Sequence, residues 1–82
     1  MEPIKAEILA YLKRAAGKSE HGDVSLVALD RYLVYVKQEE TFVGKNLGRI
    51  IDELVNEELL RTSHGSYVAL TERGAEVADR LP

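Results

Sequence analysis

The chain has 82 residues, 45% of them apolar and 30% charged, which suits one soluble globular domain, spanning 1–82, with a modest core. It contains no cysteine, so a disulfide framework and a thiolate zinc site are both excluded. Its 11 Lys and Arg against 14 Asp and Glu leave a net charge of −3. Attraction to nucleic acid would therefore have to come from a local patch and not from the chain as a whole.

In chain order, the opening MEPIKAEILAYLKRAAGK is interrupted by Lys5 and Glu7 too early for a secretory signal. No apolar run approaches membrane-spanning length, so a cytoplasmic location without membrane contact is expected. Ile4, Ile8, Tyr11, Leu12 and Ala15 recur at helical spacing. With Pro3 in the first turn and Gly17 as a stop, they predict a helix over 3–16. A polar loop, GKSEHGD, follows.

In DVSLVALDRYLVYVKQEE, Ser25 suits a helix cap, and Leu26, Leu29, Leu33 and Val36 share one face. YLVYV alone would also suit a strand. The stretch 26–37 is long for a strand and holds no turn residue, so helix is expected. In TFVGKNLGRIIDELVNEELL, Leu47, Ile50, Ile51, Leu54 and Val55 give the clearest amphipathic pattern in the chain, a helix over about 41–57 with Thr41 as its cap. Gly44 and Gly48 each weaken it by about 1 kcal/mol relative to Ala. Residues 59–62 and 67–70 read as two short strands around SHGS, a hairpin whose turn needs Gly65. Thr71 then caps a final helix over about 72–81 with Ala75, Val77, Ala78 and Leu81 inward. Leu59, Leu60, Val68 and Leu70 are expected in the core and the four tyrosines in the core or at its rim.

The order helix, helix, helix, hairpin, helix resembles the winged-helix family, a helix-turn-helix variant with a β-hairpin wing. The run Leu54-Val55-Asn56-Glu57-Glu58-Leu59-Leu60 resembles that family's recognition-helix exit. Leu70-Thr71-Glu72-Arg73-Gly74 resembles the wing exit of MarR-like prokaryotic regulators. The resemblance covers nearly the whole chain. It implies an α+β fold: a three-helix core, a two-stranded hairpin wing over about 59–70 and a short C-terminal helix. Glu58 stands where glycine is usual, so the third helix is expected to end differently or run longer. The 82 residues hold no counterpart of the long helices through which MarR-like regulators dimerise.

The resemblance implies a DNA-binding transcription regulator with its third helix in the major groove and its wing on the backbone. Lys45, Asn46 and Arg49 lie on the outer side of that helix, where Arg pairs with guanine, Asn with adenine and Lys with phosphate. Arg61 and His64 on the wing, and Lys37 and Thr41 at the helix entry, complete the candidate DNA-binding set. Double-stranded DNA is then the expected partner, bound most usefully by a homodimer, since one small module makes few phosphate contacts. Asp52, Glu53, Glu57 and Glu58 on the second half of the same helix oppose this reading. They favour the alternative, a winged helix that binds a protein within a larger complex, through a face containing Tyr32, Val34 and Tyr35. Enzyme chemistry finds no support. His21 and His64 both sit in polar loops, GKNLGR lacks phosphate-loop spacing, and no catalytic residue, metal site or cofactor is expected.

Overall fold

A computed structural model describes residues 2–16, 23–36, 45–63 and 65–81, with the side chains of Tyr35, Val36, Lys45 and Asn46 excepted. It is an α+β fold of four helices and a three-stranded antiparallel sheet. Helix α1 (Pro3–Ala16) leads to a two-residue strand β1 (Val24–Ser25) and helix α2 (Leu26–Arg31), which widens into a π-helical turn (Tyr32–Val36). Helix α3 (Lys45–Asn56), the hairpin β2 (Leu60–Ser63) and β3 (Tyr67–Leu70), and helix α4 (Glu72–Asp79) follow. The expected cap Thr41 and the stops and loops at 17–22 and 37–44 lie outside the described residues.

The local chemistry accounts for these boundaries. Pro3 opens α1, and the Ala6 N–H donates to the Glu2 carbonyl at 3.1 Å. The Ser25 hydroxyl accepts from the Val27 N–H at 3.1 Å and caps α2. YLVYV is helical despite its strand-like composition, because Leu29 and Leu33, one turn apart, are both buried in the core. Gly65 takes a left-handed φ of 72° at the hairpin turn.

The core gathers Ile4, Ile8, Leu9 and Leu12 from α1, Leu29 and Leu33 after β1, Leu47, Ile50, Ile51 and Leu54 from α3, and Leu59, Leu60 and Val68 from the hairpin region. Leu54 is fully buried. Leu26, Val55, Leu70, Val77, Ala78 and Leu81 pack against its edge.

Three expectations need correction. The hairpin is not a two-stranded unit, because β1 adds to it in the order β1-β3-β2, with Val24 opposite Val68 and Ser25 opposite Tyr67. A two-residue strand is too short to show alternation in sequence. Helix α4 ends at Asp79, where Arg80 and Leu81 turn back on Val77 and Ala78 through tighter bonds of 3.1 and 3.2 Å. Tyr67 is not at the core rim but 43% exposed.

The exit of α3 answers the question raised by Glu58. The helix does not run on. Glu58 takes a left-handed φ of 64°. The Leu59 N–H donates to the Leu54 carbonyl and the Glu58 N–H to the Val55 carbonyl, each at 3.0 Å. This is a Schellman end with glutamate in glycine's place. The Thr71 hydroxyl donates to the Glu58 carbonyl at 2.6 Å and accepts from the Gly74 N–H at 2.9 Å, while the Thr71 N–H donates to the Leu59 carbonyl at 3.1 Å. A Cβ on Gly74 would lie 2.0 Å from that same Leu59 carbonyl oxygen. Thr71 and Gly74 therefore hold the start of α4 directly on the reversal that ends α3.

A polar cluster joins α1 to the segment after α2. Tyr11 and Tyr32 stack at 4.3 Å, and the Tyr32 hydroxyl donates to Glu7 at 2.6 Å and accepts from Arg14 at 2.8 Å. Burial first, then the hydrogen bond and charge of Glu7, raise the Tyr32 phenol above its ordinary 10.0 against the opposing pull of Arg14. Lys5 is itself buried, with its ammonium 3.7 Å from Glu53 and 3.5 Å from Glu57, and so ties α1 to α3.

Two sets of variants follow. Glu58→Gly relieves a left-handed side chain at the expense of an exposed ion pair with Arg73, and should raise stability by about 1 kcal/mol. Gly74→Ala drives a methyl into backbone and should lower stability by more than about 2 kcal/mol. Urea denaturation of both against the parent checks the assignment. For Tyr32, a raised pKa in the fold means that its contribution is full below the unfolded value and is lost as pH rises through the folded one. Stability measured from about pH 9 to 11 should therefore fall more steeply in the parent than in Tyr32→Phe.

Candidate binding face on α3 and the hairpin

Helix α3 turns Leu47, Ile50, Ile51 and Leu54 inward, which leaves Gly48, Arg49, Asp52 and Asn56 exposed on its outer side. The backbones of Lys45 and Asn46 open the helix; their side chains, like Tyr35's, lie outside those described. Lys37, Thr41 and His64 also lie outside the described residues.

Arg49 is exposed but held. Its guanidinium meets Glu53 one turn later at 2.8 Å, and Glu53 is the same acid that faces Lys5 on its other oxygen. With both partners solvated, such a pair contributes only about 0.3–0.5 kcal/mol, so it partly neutralises Arg49 without locking it. Arg61 is exposed on β2 and forms no hydrogen bond or ion pair with the described residues. It is paired in register with Ala69, whereas Leu60 and Thr62 alternate to the opposite side of the strand. Arg61 therefore faces away from the side that Thr62 presents to α3.

A groove of about 490 Å³ lies between α2, α3 and the hairpin tip. Leu26, Leu47 and Ile51 line it with apolar surface, and Val27, 59% exposed, adds to its α2 side. Gly48 and Asp52 contribute from α3, Asp30 from α2, and Thr62 and Gly65 from the hairpin. Among the described residues no lysine or arginine lines it. The Asp30 Oδ1 is buried without a hydrogen-bond partner among the described residues. A Cβ added to Gly48 would meet none of the described residues within 4 Å, so packing among them does not explain this glycine.

Sequence reasoning missed the groove because three separate elements build it. Its one visible signal is Val27, an apolar residue off the Leu26, Leu29 and Leu33 stripe. Of the face expected to take a protein, Tyr32 is engaged within the chain by Tyr11, Glu7 and Arg14, and Val34 is half-buried.

Among the described residues, no helix is long and apolar enough to cross a membrane, and no group of three or more acidic or histidine side chains is placed to hold a metal ion. No protein-family model, curated protein or solved structure matches this chain.

Because Gly48 is exposed in mid-helix and faces open space, Gly48→Ala should stabilise the fold by about 1 kcal/mol. Thermal denaturation should show an increase in Tm of about 4–8 °C.

Proposed function

We propose that the chain is a winged-helix module that docks a protein through the face formed by α2, α3 and the hairpin. The fold reading is supported by the element order and by the two stretches that resemble the family. These meet in space: Thr71 and Gly74 of the wing exit sit on Glu58 and Leu59 of the α3 exit. The docking reading rests on one observation above the others. Acids outnumber cations among the described residues of the face, with Glu53 on Arg49 and with Asp30 and Asp52 at the groove between α3 and the hairpin. Phosphates drawn across that groove would be repelled, whereas a protein surface offers both apolar and basic groups.

Duplex DNA is the second reading, and Arg61 favours it. It is exposed, carries no acid partner among the described residues, and sits on the hairpin where a wing would meet a phosphate backbone. The Arg49 pair is weak enough for a phosphate or a guanine edge to displace Glu53. Neither reading calls for catalysis.

Titration of labelled duplexes at about 50 mM and about 200 mM salt distinguishes them. The docking reading expects only weak, sequence-blind association at the lower salt and none at the higher. Specific saturation is the contrary result, with Arg49→Ala losing about 1–3 kcal/mol on one preferred sequence and Arg61→Ala reducing the salt slope by about one. It would replace the docking reading with DNA recognition.

A further inference from the structure

The composition of the groove narrows what it can hold. At about 490 Å³ it has room for a few side chains. Val27, Leu47 and Ile51 offer apolar contact, and among the described residues the formal charges in its lining are the carboxylates of Asp30 and Asp52. One Asp30 oxygen is buried without a donor among the described residues, and the residue lines the groove wall, so its carboxylate is incompletely satisfied there. Gly48 sits in the α3 wall with open space above it. In an exposed helix interior, glycine weakens the fold, and here it permits another backbone to come close.

We propose that this groove receives a short extended segment of a partner protein. An apolar side chain of the segment packs against Val27, Leu47 and Ile51, and a neighbouring arginine or lysine meets Asp30 and Asp52. The segment's backbone crosses α3 at Gly48. This rests on the protein-docking reading and specifies the partner's chemistry: apolar and basic residues side by side. Charge complementarity selects it over an acidic peptide and over a phosphate backbone.

The test uses the full chain, labelled with ¹⁵N, and three probes: a capped peptide of alternating leucine and arginine, the same peptide with glutamate for arginine, and a short DNA duplex. The leucine–arginine peptide should shift the amides of Val27, Gly48, Ile51, Asp52 and Thr62 along one saturable curve, and the leucine–glutamate peptide should leave them in place. Replacing both acids, Asp30→Asn with Asp52→Asn, should weaken the basic peptide about tenfold and flatten its salt dependence. Gly48→Ala should weaken it several-fold while melting no lower than the parent, which separates a lost contact from a lost fold. If the basic peptide moves none of these amides, or both peptides move them equally, the groove assignment is overturned and protein docking elsewhere on the chain still stands. If the duplex moves the same amides with saturation and the peptide does not, the groove assignment and the docking reading both fall.

Discussion

The reversal at Glu58 and Leu59 is the constraint on which the rest of the fold depends. Helix α3 carries the strongest apolar stripe in the chain, and the hairpin supplies Leu60 and Val68 to the same core. Both can be buried together only if the chain turns back sharply after Asn56. A left-handed residue performs that turn, and here the residue is a glutamate. The strain is tolerated because neighbours over-determine the geometry: two backbone bonds close the helix, Thr71 grips the Glu58 carbonyl, and α4 presses its glycine onto Leu59. Thr71 thus serves two elements at once, capping α4 with the same hydroxyl that anchors the end of α3.

Electrostatics then divides the molecule into a used and an unused set of cations. Lys5 is buried against Glu53 and Glu57, Arg14 lies on the Tyr32 hydroxyl, Lys13 meets Asp79 and Arg73 meets Glu58. These pairs connect α1 to α3, to the segment after α2 and to α4, and they connect α4 to the α3 exit. Most are exposed and individually weak. Their collective effect is on location: positive charge sits at the joints between elements, and the described lining of the groove beside α3 carries acids.

Much of the architecture could be read from residues. The bounds of α1, the inward stripe of α3, the hairpin with Gly65 at its turn and the caps Ser25 and Thr71 all carry local signals, and the structure has them in place. What escaped notice depends on contacts distant in sequence. Strand β1 exists only because Val24 and Ser25 meet β3. The burial of Lys5 carries no local signal, because the two acids that accept it lie on α3 and just beyond its end. The outer face of α3 was legible as far as Arg49, and its i,i+4 partner Glu53 was equally visible. The groove was not, since no single segment contains enough of it to give a pattern.

The pairing of β1 with β3 also bears on the order in which the molecule assembles. The helices and the β2–β3 hairpin close on neighbours in sequence, whereas α2, α3 and β2 all lie between Val24 and Val68. Bringing them together closes a long stretch of chain for the return of two residues of ladder, so this contact is expected to follow the local ones. By then Leu29 and Leu33 have a core to enter and the hairpin has an edge to offer. That seam seats α2, which follows β1 directly, beside the hairpin, so one wall of the groove hangs on two residues of ladder.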